Sequence, residues 1–457
     1  MRRIMLAGTQ SGSGKTTITC AVLQKLVNDG YDVSSFKCGP DYIDPMFHGR
    51  VIGTRARNLD SCFCDSNTLN TILYKNKGNI SVIEGVMGYY DGAGASGSSW
   101  EIACQTATPV ILIIDCKGMG QSIGAVMKGF LTFRNPSRIA GFIFNRLPES
   151  MVPEAERLCE EMQTAYFGRF PYIKEAQLES RHLGLVTAEE IKDIQKKLAL
   201  LADAAGKYLC MDKIVKIAEQ AERPAFQMVM PQPVVHGGRV KIGIARDEAF
   251  CFWYEDNLEL LRELGCEIVP FSPLWDTHMP DGLDGLILPG GYPELYADKL
   301  SANKGFRQEI LELLKSEIPT IAECGGFLYL QKSLEDKNGI VYDMVGFLES
   351  DGYRTDKLQR FGYVSLKALS DNMLCQKGQT LVAHEFHYWD STDCGAGFMA
   401  EKLSRPLQYA CVVADDRLYA GFPHLYFYGN RDAACRFVKC CDIYRKKGNS
   451  GAAEQRG

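Results

Sequence analysis

Cys324 stands where an apolar run, IPTIA at 318–322, gives way to ECGG at 323–326. The glycines after it permit the tight strand-to-helix turn that presents a sulfur as a nucleophile, and a thiol so placed can attack a carbonyl. The chain opens with a second reactive segment, GTQSGSGKT at 8–16. There the backbone N–H groups from Gly12 through Gly14 to Thr16 can point at phosphate oxygens at a helix N-terminus. Lys15 can reach the terminal phosphates, Thr16 can ligate Mg²⁺, and Thr17 completes the nucleotide-binding set. The strict pattern places two glycines five positions apart, whereas Gly14 is preceded at that spacing by Thr9, with Gly8 one further back, so the loop is a variant. Few reaction types need both a nucleotide-driven activation site and a thiol nucleophile.

These residues need elements to hold them. Residues 3–7 form a short apolar run before the glycine loop, and Ile18, Val22, Leu23 and Leu26 then recur at helical spacing, giving strand, loop, helix. Near-continuous apolar strands follow at 80–83, 110–114 and 139–144, as expected of strands buried on both faces of a parallel sheet. The stretch 230–238 has neither period and holds two prolines and two glycines, which reads as a linker. A second alternation then begins with strands at 240–245, 267–271 and 285–288 and a helix through Leu258, Leu260 and Leu261. The expected organisation is an α/β chain: a parallel-sheet P-loop domain over 1–225, a linker over 226–239, a second α/β domain over 240–442, and a disordered tail over 443–457.

Composition narrows the partners. Lys+Arg 51 against Asp+Glu 56 gives a net charge of −5 over 457 residues, too small a field to favour nucleic acid or an anionic membrane, so small-molecule partners are expected. No apolar run is long enough to span a bilayer and the N-terminus breaks at Gly8, which points to the cytoplasm. The 17 cysteines are scattered with no Cys-x-x-Cys pair, arguing against a disulfide framework or metal cluster.

Two acid-bearing segments complete the first half. FKCGPDYIDPMFH at 36–48 sets Lys37, Asp41, Tyr42, Asp44 and His48 on a loop punctuated by proline, and EGVMGYYDG at 84–92 carries Glu84 and Asp91 past the strand ending at Ile83. Loops at strand C-ends are where α/β sheets bind ligands. With NLDSCF at 58–63, these runs resemble the dethiobiotin synthetase-like P-loop family, and within it the cobyrinate-type amide synthases. The resemblance implies that Thr16, Asp41 and Glu84 serve Mg²⁺ and the phosphates. It implies that Lys37, Tyr42, Asp44, Asp60 and Asp91 are substrate-side or synthetase-site groups, and that Asn145 contacts adenine. SRHLGL at 180–185 also resembles a family segment, with a structural role as well supported as a chemical one.

In the second half, LPGGYPE at 288–294, AECGG at 322–326 and GFPHL at 421–425 occur in the order used by class I glutamine amidotransferases of the cobyrinate and cobyrate synthase type. The resemblance spans roughly 240–438. It implies that Cys324 attacks the glutamine amide and His424 takes the thiol proton and delivers it to ammonia, while backbone N–H groups around Gly290, Gly291 and Gly325 hold the oxyanion. The usual triad carboxylate two residues beyond the histidine is replaced by Tyr426, so the site is expected to be a Cys-His dyad. AHEFHY at 383–388 adds His384, Glu385 and His387, which the resemblance sets outside the dyad.

Together the halves imply ATP- and glutamine-dependent amidation with Mg²⁺: a substrate carboxylate becomes an acyl phosphate, and ammonia displaces the phosphate. The implied substrate is cobyrinate, amidated at its a and c acetates in cobalamin biosynthesis. Nickel sirohydrochlorin and hydrogenobyrinate are the alternatives within the class, and monomer and homodimer stay open. A P-loop switch that dimerises on ATP is the rival from another class. It would carry a lysine at the position of Gln10 and have no use for Cys324.

Overall fold

Residues 1–93, 96–177, 188–235 and 238–454 are described by the computed structural model; the segment 180–185 lies outside them. The chain divides into two compact units, Met1–Val229 and Met230–Gly457.

The first unit is built on strands β1 (Arg3–Gly8), β2 (Val33–Cys38), β3 (Arg55–Leu59), β4 (Ile80–Glu84), β5 (Val110–Asp115), β6 (Ile139–Asn145) and β7 (Ala165–Phe170). They form one sheet in the order β3-β2-β4-β1-β5-β6-β7, with every pairing parallel. β1 and β4 are buried along their whole length, and their sequences are largely apolar, with Arg3 in β1 and Ser81 and Glu84 in β4 as the polar exceptions. β2 is equally buried although its sequence, VSSFKC, is half polar, because Ser34 Oγ donates to Asn76 O at 2.5 Å and Ser35 Oγ bonds Thr54 Oγ1 at 2.7 Å. Phe36, Lys37 and Cys38 are therefore strand where the proline-rich sequence suggests loop. Asp44 lies in a short helix, Ile43–Phe47, and His48 opens a π-turn, His48–Ile52. Helix Lys15–Asn28 buries Ile18, Val22 and Leu26 against Leu198, Leu201 and Ala205 of helix Ala188–Tyr208.

The second unit carries β8 (Val240–Ala245), β9 (Cys266–Phe271), β10 (Gly285–Leu288), β11 (Thr320–Glu323), β12 (Gln331–Glu335), β13 (Val341–Asp343), β14 (Leu348–Ala368), β15 (Thr380–Ser391), β16 (Phe398–Lys402), β17 (Gln408–Cys411), β18 (Val413–Ala414), β19 (Leu418–Gly421) and β20 (His424–Leu425). One sheet runs β18-β19-β11-β10-β8-β9 and is parallel apart from β18. The other runs β13-β12-β14-β15-β20, with β16 on β14 and β17 on β16. Residues 425–428, strand-like in sequence, leave the strand after Leu425 and enter a 3-10 turn, Phe427–Gly429. Of the segment expected as a disordered tail, residues 443–454 instead continue helix Arg431–Glu454, and 455–457 lie outside the described residues. Phe437, Val438 and Cys441 recur at helical spacing and are buried, and Tyr444 OH bonds Ser316 Oγ at 2.7 Å, so the helix is fastened beyond residue 442.

Candidate active sites

Parallel register assembles the phosphate site. β4 lies between β1 and β2, so Glu84 is paired with Leu6 on one side and Lys37 on the other, directly below the loop that leaves β1 at Gly8. Gly12 and Gly14 take positive φ of 76° and 93°, a backbone that glycine adopts without strain. A β-carbon on Gly14 would stand 2.3 Å from Asn145 Nδ2, and that amide donates to Ser13 O at 2.9 Å, so Asn145 packs directly on the phosphate loop. Ser13 Oγ is buried and makes no hydrogen bond within the protein. The loop 84–92 is stitched to it: Tyr89 N donates to Gly8 O at 2.8 Å and Lys15 Nζ to Met87 O at 2.5 Å. Asp91 closes that loop, its Oδ2 accepting from Gly88 N at 2.8 Å. Asp60 turns the chain after β3 by accepting from Cys62 N at 2.8 Å, and Thr17 is half-buried in the first turn of the helix.

Beneath the loop is a buried charge cluster. Thr16 Oγ1 and Lys37 Nζ both donate to Glu84 Oε1, at 2.8 and 2.9 Å. Lys37 also bonds Asp44 and lies 3.9 Å from Asp41, so three carboxylates share one lysine. Burial, with Asp44 nearby, lifts Asp41 to about 6. Burial likewise outweighs Lys37 at Glu84 and lifts that carboxyl to about 7. Burial would raise Asp44 too, but Lys37 wins there and holds it below the ordinary carboxylate range. Glu84 Oε2 makes no hydrogen bond and stands 3.5 Å from His48 Nε2, a ring that burial holds neutral, down to about 4. A site with surplus carboxylate, a buried unsatisfied oxygen and a hydroxyl alongside suits a hard divalent cation. Among the described residues no three acidic, histidine or cysteine side chains form a complete cage, so Thr16 and Glu84, with Asp41 nearby, would leave positions for phosphate oxygens. Tyr42 immediately precedes the helix that carries Asp44.

The thiol site is built on β11. Cys324 follows its last residue and takes φ 49° and ψ −101°, a backbone that side chains resist. Its N–H donates to Gly421 O at 2.7 Å, anchoring the elbow to the end of β19, three residues before His424. The glycines are packing requirements. A β-carbon on Gly290 would meet His424 Cε1 at 2.5 Å, one on Gly291 would meet Ala249 O at 2.0 Å, and one on Gly325 would lie 3.0 Å from Gly291 N. Gly291 thus packs against Gly325, the residue that follows the thiol.

His424 is 2 % exposed, and burial alone would depress its imidazolium. Cys324 and Glu323 beside the ring outweigh that and lift it to about 10. Glu323, the residue just before the cysteine, places Oε2 3.6 Å from His424 Nδ1 while Oε1 accepts from Leu425 N at 3.0 Å. Tyr426 turns away and donates to Asp256 Oδ2 at 3.0 Å. The expected dyad therefore has a carboxylate against it, supplied by the nucleophile's strand rather than the histidine's. A charged imidazole beside a strained, buried thiol can support nucleophilic attack and protonate the group that leaves.

Comparison with known proteins agrees with this architecture. Residues 241–431 match the CobB/CobQ-like glutamine amidotransferase domain and residues 4–185 the CobQ/CobB/MinD/ParA nucleotide binding domain. The cobyrinate a,c-diamide synthase of Caldanaerobacter subterraneus is 35% identical over 98% of this chain and 100% of its own, and that of Streptococcus sanguinis 39% identical over 94% and 96%. The chain belongs to the cobyrinate a,c-diamide synthase family. It is accordingly a ligase that draws its amide nitrogen from glutamine. Among solved structures, the MinD cell division protein of Aquifex aeolicus aligns with 50% of this chain and 100% of its own, at 13% identity and a TM-score of 0.30.

In this family member the segment 383–388 lies on β15. His384 pairs across the ladder with His424, and His387 lies flat on Phe422, ring centroids 3.8 Å apart. Burial holds both imidazoles neutral, down to about 3. Glu385 is fully paired with Lys402 Nζ at 2.9 Å and with the Tyr409 hydroxyl, a structural tie. Sequence reasoning assigned no role to His48, Ser13 or Glu323. The signal for Glu323 is its adjacency to the nucleophile. The rule for finding a triad carboxylate looks two residues beyond the histidine instead. Among the described residues, no helix is long and apolar enough to cross a membrane, and the 17 cysteines are free thiols.

Proposed function

We propose that this enzyme converts the a and c acetate carboxylates of cobyrinate to primary amides, using ATP and glutamine. Cys324 attacks the glutamine side-chain amide carbon, the C–N bond breaks, and His424 gives its proton to the departing ammonia. Water then hydrolyses the thioester, His424 accepting the proton as glutamate leaves. In the other unit a cobyrinate carboxylate oxygen attacks the terminal phosphorus of ATP and ADP departs. Ammonia attacks the resulting acyl phosphate, and phosphate leaves with the C–O bond. Gly12, Gly14, Lys15, Thr16 and Thr17 cradle the phosphates, and Asn145, which bonds Ser13 O of the loop, contacts the adenine. Lys37, with Tyr42, Asp44, Asp60 and Asp91, serves the substrate side. Thr16, Glu84 and Asp41 would hold Mg²⁺, which when bound neutralises charge on the transferred phosphoryl group. The observation that carries this reading is the strained elbow that presents Cys324, with the Glu323 carboxylate beside it facing His424, because a nucleotide-dependent switch has no use for a thiol so presented. The full-length identity to cobyrinate a,c-diamide synthases supports the choice of substrate. Small molecules are the expected partners and the cytoplasm the expected site.

The test is mass spectrometry of the protein incubated with cobyrinate, MgATP and glutamine, in which each acid-to-amide step lowers the mass by about one dalton. Two steps and a halt are expected. A shift with nickel sirohydrochlorin or hydrogenobyrinate but not cobyrinate would move the substrate, and no shift with any would overturn the reading.

A further inference from the structure

We propose that Glu323 is the positioning carboxylate of the thiol site, taking the part that a carboxylate two residues beyond the histidine plays in other class I amidotransferases. The proposal rests on Cys324 and His424 being the glutamine-cleaving pair. The geometry is specific. Glu323 is the last residue of β11 and its register partner is Gly421, so the strand that presents the thiol also points a carboxylate at the strand segment bearing His424. Oε1 is pinned by Leu425 N at 3.0 Å, which fixes the carboxylate plane and leaves Oε2 3.6 Å from His424 Nδ1. The position that the triad rule would use holds Tyr426, committed to Asp256. With Nδ1 facing the carboxylate, proton exchange with the sulfur falls to Nε2, and one two-residue unit, Glu323-Cys324, sets both partners of the imidazole.

The other titratable groups about the ring are Cys324 itself, His384 and His387 on β15, which burial keeps neutral, and the Lys402–Glu385 pair, which is internally balanced. Besides Cys324, Glu323 is therefore the group that favours the imidazolium, and its removal should move the alkaline limb of the pH profile to lower pH.

The experiment compares wild type with Glu323→Gln, whose amide oxygen can still accept from Leu425 N. Glutamate release from glutamine is followed with MgATP and cobyrinate present, and amide formation from ammonium chloride is followed separately. The expected result is a fall in glutamine-dependent kcat of about 10²-fold or more, little change in KM for glutamine, an alkaline limb at lower pH, and unchanged ammonium-dependent synthesis. A variant with wild-type kcat and an unmoved pH profile would overturn the proposal. Should Glu323→Gln fail to fold, Glu323→Asp carries the comparison: a partial loss with the same displacement supports the role, and wild-type behaviour overturns it. No glutamate release by wild type would instead overturn the reading of the thiol site.

Discussion

Gly290 has no side chain because His424 occupies the place one would take, its Cε1 2.5 Å from a β-carbon built there. Gly290→Ala should therefore displace the imidazole from the thiol and lower glutamine-dependent amidation by about 10²-fold, the scale on which a 1 Å misplacement acts. Amidation from ammonium chloride should persist; equal loss with both donors would show that Gly290 serves something other than His424. Residues of this kind were legible in the sequence where motif and chemistry coincide: Lys15 and Thr16 in the glycine loop, Cys324 in its elbow, His424 after Gly421. Glu323 was in plain view yet unassigned, because adjacency along the chain says nothing about which neighbouring strand a side chain reaches. His48 was unassigned for a related reason. Any part it plays depends on Glu84, 3.5 Å away in the fold but far along the chain at the end of β4.

At the scale of elements, β15 places His384 and His387 in the interior, where both stay neutral down to about pH 3. In the unfolded chain an imidazole takes its proton near pH 6.5, so between these values the unfolded state binds more protons and stability falls as pH falls, by about 1.4 kcal/mol per pH unit for each ring. His387→Phe keeps an aromatic ring over Phe422 and removes one titrating group. Its stability deficit against wild type, measured by urea unfolding, should shrink steadily from pH 6.5 towards pH 4; a constant deficit would mean that His387 titrates normally. The parallel strands that carry the phosphate loop and the thiol were legible because burial on both faces demands unbroken apolar runs. The sheet of β12 to β17 was not. β14 alone contains LESDGYRTDKLQRFGY, with positive φ at Arg360 and Gly362 where its register to β15 shifts, and no two-residue alternation survives such irregularity. β2 hid for the opposite reason, its buried serines being satisfied by partners that the sequence does not name.

For the whole molecule, two α/β units were legible from two strand-helix alternations either side of an unpatterned stretch, and what lay beyond residue 442 was misread because one further turn of apolar spacing is a weak signal in a charged segment. Each unit holds a candidate site of its own, so their failures are expected to be separable. Lys15→Gln should abolish amide synthesis from both glutamine and ammonium while glutamate release continues, and Cys324→Ala should abolish glutamine-dependent synthesis while ammonium still supports it. Loss of both activities in either variant would contradict the division of labour. The elbow at Cys324 has a further bearing on the life of the chain. At φ 49° and ψ −101° a glycine is at ease and any side chain is strained, so Cys324→Gly should outlast Cys324→Ala in thermal unfolding, by about 1 kcal/mol. Proteolytic surveillance removes molecules that unfold, not molecules that fail to react. A copy disarmed by that one substitution would escape clearance and accumulate beside competent ones, so abundance would be no measure of fitness at this locus.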